Sequence, residues 1–371
     1  MTWRYFATRL RGDGPERDDR DVLDWNLPLT GAEISNVING FGGLRGTLKP
    51  EHPRLIGIQG LLEPGCTAIY AEQDGQIRGG GIIVEPEEDS PDFKVEAIGH
   101  AGYLDHMPYT GEKAIERGDP LETSWHMWQH TQARPGFNLG MTQAGDKKSK
   151  QVFLGDPDVT PSKTPKKVTP YVLSWWQTHD LAREFNQMAE LGGYEWTVRH
   201  SWDSHTIRHE LVYGHPRLGR RRHDLRFVVG ENVTEQPVLT ADIDTAATHV
   251  LVLGAGEGRT MMHHTDIKPS PGRLARYAIV TDKSLTTPAQ VKARAAAELA
   301  ARQPGPDVTE LKILDHPNAP LGTVEPGDDI KLTTKPGWHD RLDVWVKVLA
   351  VTITPEQPTT TLTVRRAEKI S

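Results

Sequence analysis

Histidine is the residue type here whose spacing most readily suggests chemistry. His200, His205 and His209 fall within ten residues, and His263-His264 are adjacent. A metal site needs converging ligands, often joined by Asp, Glu or Cys. His205 and His209 share one face of an expected strand but stand about 13 Å apart by strand rise, too far for one ion. These histidines therefore read as solvated or interface residues. The acidic run Glu85, Glu87, Glu88 and Asp89 could suggest paired-carboxylate hydrolysis. It follows a strand and precedes Ser90-Pro91, so it reads as a solvated loop. Ser201 and Ser204 lie near histidines but lack a GxSxG elbow. The sole cysteine, Cys66, sits in a PGCT turn with no nearby histidine. No nucleophile–base pair emerges, and no catalytic, cofactor-binding or metal-ligating residue is assigned.

Two further segments invite a ligand. LVLGAGEG (251–258) places Gly254 and Gly256 at the first two positions of a dinucleotide-binding fingerprint, but Arg259 occupies the third glycine position. No βαβ pattern surrounds it, so the glycines read as a strand exit that packs closely on its neighbours. The basic run Arg217 to Arg222, with His223, reads as a surface or interface segment that pairs with acidic loops of a neighbour.

The elements around these residues are mostly strands. Period-two alternation marks 3–10, 76–84 and 93–98, with Asp74-Gly75 as a hairpin turn and Gly80-Gly81 as a bulge or close backbone approach. Strands return at 194–199, 206–213, 225–229 and 249–253, and again at 309–314, 329–334, 342–354 and 360–365. Three helices are expected. The first is capped by Asp119-Pro120, has Glu122 in the capping-box position, and aligns Leu121, Trp125 and Trp128. The second covers 175–191, with Ser174 and Gln177 as its capping pair and Leu181, Phe185, Met188 and Leu191 as its stripe. The third covers 288–302, capped by Thr287 and Gln290, with Val291, Ala295 and Leu299 inward. Residues 143–170, rich in Lys and Pro, read as a long solvated loop. The class is mainly β (α+β) with a few packed amphipathic helices.

Composition excludes several functions. A net charge of -7 and a pI near 6.2 argue against a nucleic-acid binder. One cysteine excludes an intramolecular disulfide. No apolar run reaches the ~18 residues of a membrane span, and MTWRYFATRLRGDG holds no signal-peptide core. Ten tryptophans supply core packing or subunit anchors.

Several short motifs resemble minor tail proteins of actinobacterial siphophages. Trp3, Tyr5 and the segment 23–48, with Leu27-Pro28-Leu29 and the Asn39-Gly40-Phe41-Gly42 turn, resemble that family's first module. The hairpin 68–85 and the strand 94–109 with its Gly-Tyr-Leu exit resemble the parts that follow. HVLVLGAGEGRTM (249–261) and the tail from Leu321, with its Pro326-Gly327-Asp328 turn, resemble the later modules.

The resemblance implies a baseplate hub at the tail tip of the virion, assembled in the host cytoplasm. Two β-barrel-like hub domains, 1–105 and 249–371, would flank a helix-and-loop insertion (106–192) and a β-rich middle (193–248). Three copies would form a pseudo-sixfold ring joining the distal tail ring above to threefold tip or spike proteins below. The tape measure protein and then DNA would pass through, without specific nucleic-acid binding, catalysis or cofactor. The competing readings are a receptor- or carbohydrate-binding tail protein, marked by tryptophans exposed on a loop face, and a cell-wall-degrading tail enzyme.

Overall fold

The computed structural model describes residues 2–49, 60–89, 92–154, 170–177, 180–240, 246–269, 271–272, 274–283, 285, 287–302, 307–335 and 341–367. Its largest element is a twelve-stranded sheet. From one edge the order is Phe227–Val228, Asp329–Thr334, Leu342–Ile353, Thr30–Val37, Gly43–Leu48, Asp92–Ile98, Gln76–Asp89, Thr67–Gln73, Trp3–Arg9 and Val22–Asp24. Thr359–Arg366 branches from Leu342–Ile353 and carries Glu310–Leu314. The alternating apolar residues of these strands, from Ile34 and Leu44 to Val346 and Leu362, form one core.

Leu342–Ile353 joins the two ends of the chain. Its first half pairs with Asp329–Thr334, and Ala350 to Ile353 pair with Thr30–Val37. Thr359–Arg366 lies along the opposite edge, with a register shift at Val348/Ala350. A bulge of this kind bends a strand and re-aims its edge. The mainly β class expected from the sequence holds, but no closed barrel forms among the described residues.

A second layer packs helices on a small sheet. Met141–Gly145 runs parallel to Thr206–Gly214, which pairs antiparallel with Glu195–Asp203. The first helix, α1 (Pro120–Gln132), is capped by Asp119, whose carboxylate accepts from the Leu121 N–H at 2.9 Å. The second helix, α2 (Leu181–Gly192), starts six residues later than the sequence reading placed it. Tyr171–Ser174 is a strand paired with Glu112–Ile115, and Asp180 is the cap. The Ser174/Gln177 spacing imitates a capping box, but strand pairing claims that backbone. Leu181, Phe185 and Met188 are buried as expected, and Gly193 closes α2 at φ 61°. Trp128 and Trp196 are fully buried in this layer, with Phe185 edge-on to Trp196 at 5.0 Å.

The third helix, α3 (Pro288–Ala301), has its Thr287/Gln290 capping box and buries Val291, Ala295 and Leu299. It covers a three-stranded sheet with His249–Leu253 in the middle, His263–Ile267 antiparallel and Tyr277–Thr281 parallel. Gly254 sits where a Cβ would meet Leu285 O at 2.7 Å, so the glycine-rich stretch is a close-packed strand exit. No helix among the described residues is long and apolar enough to cross a membrane.

Glu85 to Asp89 continue the strand Gln76–Asp89 rather than forming a loop. Within 143–170, residues 143–145 and Val152–Phe153 belong to strands, and 155–169 lie outside the described residues. The basic run pairs inside the chain: Arg217 and Arg221 with Asp329, and Arg222 with Asp328 and Asp224.

Lys347 ties the small sheet to the large one. It is fully buried on Leu342–Ile353, and its Nζ lies 2.5 and 2.6 Å from the two Glu195 carboxylate oxygens. Breaking such a pair strands a charge, at a cost of about 3–5 kcal/mol. Lys347→Ala is therefore expected to lower unfolding stability by about that amount in urea titration, and the exposed-site control Arg226→Ala by under ~0.5 kcal/mol.

A buried histidine–glutamate cluster as the candidate functional site

Four separate segments meet beneath the hairpin Glu195–Asp203/Thr206–Gly214. Its register places His200 opposite His209, on either side of a turn in which Ser204 has φ 55°. His100 opens the short 3-10 turn that follows Asp92–Ile98. Gly99 just before it passes so close to Phe41 that a Cβ would lie 1.9 Å from that carbonyl oxygen. Tyr70 and Thr8 come from the neighbouring strands Thr67–Gln73 and Trp3–Arg9. Glu16 arrives on the loop 10–21, which runs along the hairpin: the Ile207 N–H donates to Glu16 O, and the Asp18 N–H to His205 O, both at 2.9 Å.

Glu16, His100, His209 and Tyr70 are between 0% and 2% exposed, and His200 is 7% exposed. Glu16 is fully engaged. His209 Nε2 lies 2.6 Å from Oε2, while the Tyr70 hydroxyl donates to Oε1 at 2.7 Å and Thr8 at 3.2 Å. Tyr70 also contacts His100 Nε2 at 3.0 Å, and the Nδ1 atoms of His200 and His209 are 2.8 Å apart. Phe6 stacks on Tyr70 and Trp202 and seals one side.

Burial alone would raise the Glu16 carboxyl. The charge and hydrogen bond of His209, helped by His100 and Tyr70, outweigh it and hold the group at about 2. Burial, then the charge of His209, pushes both His100 and His200 well below the ordinary value. Burial and the Glu16 charge push the Tyr70 phenol well above its usual range. Glu16 therefore stays a carboxylate and Tyr70 stays protonated. That suits a fixed polar lock better than a proton relay, since a general acid or base must reach a substrate proton. A cleft of about 440 Å³ adjoins the cluster, lined by His200, Trp202, Arg78, Arg199 and Glu325 among others, and His200 is the one cluster member in its lining.

By spacing alone, His200 and His209 are expected to be solvated or interface residues. They are buried, whereas His205 is exposed and pairs with Asp18 at 3.0 Å. Extending the first strand past residue 199 to the Asp203-Ser204 turn would have paired the two. Glu16, His100 and Tyr70 carry no local signal, because three different segments deliver them.

The comparisons with known proteins follow this architecture. A 43 kDa tail protein of prophage MuSo2 from Shewanella oneidensis aligns over 100% of both chains, with TM-score 0.60 and 11% identity. Prophage tail protein gp18 from Listeria monocytogenes aligns over 97% of this chain and 94% of its own, with TM-score 0.58 and 13% identity. The chain has the fold of prophage tail proteins. A chain of the Francisella PdpA–VgrG complex shares that fold over 100% of this chain and 59% of its own length, with TM-score 0.51 and 9% identity. No protein-family model and no curated protein sequence matches.

The cluster sets a pH dependence. A histidine held below its ordinary 6.5 is neutral when folded and takes up a proton on unfolding. Its contribution is complete above about pH 6.5 and is lost as pH falls below that. Glu16, depressed from 4.5 to about 2, contributes above pH 4.5 and loses that contribution as pH falls toward 2. Thermal unfolding from pH 8 to 4 is therefore expected to show a Tm that declines from about pH 6.5 downward. Glu16→Gln should cost about 2–4 kcal/mol at pH 7, by loss of the charged hydrogen bonds in a buried site.

Proposed function

We propose that this chain is a structural, non-enzymatic component of a long-tailed phage: a baseplate-hub-type protein at the tail tip of the virion. The observation that carries the reading is the end-to-end likeness to prophage tail proteins, with neither chain left over in the MuSo2 alignment. In this reading three copies form a ring, which presents two similar faces per subunit to the sixfold distal tail ring above. Threefold tip or spike proteins dock below, and the tape measure protein and DNA pass through the lumen. Closed symmetry of this kind asks for rigid, complementary subunits rather than catalysis. The spliced sheet and the buried lock between its layers are suited to that. The assignment to actinobacterial siphophages rests on the turn motifs around Asn39, Asp74 and Pro326.

One observation favours a second reading, a receptor- or glycan-binding tail protein. Trp175 and Trp176 are 68% and 51% exposed and stand edge to face at 5.5 Å. Such exposed aromatics are common binding anchors. The other tryptophans at helix–sheet contacts, Trp128 and Trp196, are buried and fit the hub.

Cryo-electron microscopy of intact virions tests both. A threefold ring of this chain at the tail tip, stacked on a sixfold ring, is the expected result. A peripheral position with Trp175 and Trp176 facing outward would overturn it and favour receptor binding.

A further inference from the structure

We infer that His100, His200 and His209 together bind a divalent transition-metal cation of the zinc class, a structural site that staples the turn after Asp92–Ile98 to the hairpin of His200 and His209, with the loop 10–21 attached through the Glu16–His209 bond. One ring nitrogen from each of the three histidines lies within 4.8 Å of the other two, and all three residues are buried. Three imidazoles converging in the interior are the donor set that borderline cations such as Zn²⁺ prefer.

The surrounding bonds prepare the rings for this. His209 offers Nε2 to the Glu16 carboxylate, and His100 offers Nε2 to the Tyr70 hydroxyl. Metal-bound histidines commonly donate their second nitrogen to such a partner, which fixes the tautomer and leaves the other nitrogen's lone pair for the ion. The nitrogens left over are Nδ1 of both rings. His100 Nδ1 is buried and has no hydrogen-bond partner, which is costly unless something else satisfies it. His209 Nδ1 faces His200 Nδ1 at 2.8 Å, a contact that requires a proton on one of two nitrogens that are otherwise good ligands.

The spacing is close to what an ion needs. The three ring centroids lie 4.4, 4.7 and 5.0 Å apart. Imidazoles sharing one tetrahedral ion with bonds of about 2.0–2.1 Å stand about 5 Å apart, so the rings must open slightly and the stacked His100 and His209 rings, 21° apart, must turn to aim their lone pairs at one point. His200, the member that also lines the cleft, provides the way in. A chain with one cysteine has no disulfide with which to cross-link these segments, and an ion would do so instead.

The test uses the full, untagged chain, stripped with a chelator and titrated with Zn²⁺, with Co²⁺ as the spectroscopic probe. The expected result is one ion per chain by calorimetry and elemental analysis, a tetrahedral Co²⁺ absorption band, and a Tm several degrees higher with Zn²⁺ than with chelator. His200→Ala, which leaves the Glu16–His209 bond in place, should abolish binding and the Tm rise. His205→Ala, at an exposed site outside the cluster, should change neither. A folded wild-type chain that takes up no Zn²⁺ or Co²⁺ and unfolds at the same temperature with and without metal would overturn the proposal. So would a His200→Ala chain that still binds one ion. If that variant does not fold, the wild-type titration decides alone.

Discussion

Leu342–Ile353 must satisfy its backbone on two edges with three different strands, and the rest of the architecture follows from that constraint. Backbone groups buried without partners are expensive, so a twelve-residue strand in the middle of a sheet has to be paired along its length. Here one edge is shared in series by Asp329–Thr334 and Thr30–Val37, while Thr359–Arg366 takes the other. The amino- and carboxy-terminal parts of the chain thereby share one sheet and one core. The same strand carries Lys347, whose pairing with Glu195 anchors the helix-bearing layer to that sheet. A single strand thus coordinates register, core and layer packing.

Buried charge recurs as the means of fixing these layers. Lys347 with Glu195, Arg222 with Asp328, and Glu16 with His209 each join segments more than 100 residues apart in the chain. Such pairs are weak sources of net stability, because desolvation consumes most of the Coulomb gain. They do penalise any packing in which one partner is left alone. A subunit that must keep one shape while others assemble on it benefits from that penalty, which links the buried lock to the hub reading.

The histidine cluster differs from the other two. Lys347 and Arg222 have every near partner they require, whereas the cluster combines a fully engaged Glu16 with an unpartnered His100 Nδ1 and two Nδ1 atoms facing each other. Other buried atoms, such as Trp128 Nε1 and the Tyr213 hydroxyl, also lack partners, but His100 Nδ1 does so on a ring that shares its pocket with two further imidazoles, and that convergence is what separates the cluster from an ordinary buried polar contact.

Features written in a few consecutive residues were legible in the sequence. These include the mainly β class, the Asp74-Gly75 hairpin, the Asp119-Pro120 start of α1, the complete capping box of α3 and the tight glycine exit after His249–Leu253. Turn dihedrals, caps and alternation are short-range physics, so a local reading reaches them. The same reading misplaced the start of α2, because Ser174 has the right spacing for a cap but its backbone is taken by a strand some sixty residues earlier. It sent the arginine run to a neighbour, although Asp328 and Asp329 of the same chain receive it. It could not assemble the cluster, since Glu16, Tyr70, His100 and His209 meet only after four segments have packed. Sequence by itself determined the mainly β class, the tight turns and the starts of α1 and α3. Tertiary structure alone decided which charges and imidazoles are buried together, because burial and long-range pairing depend on the packed whole.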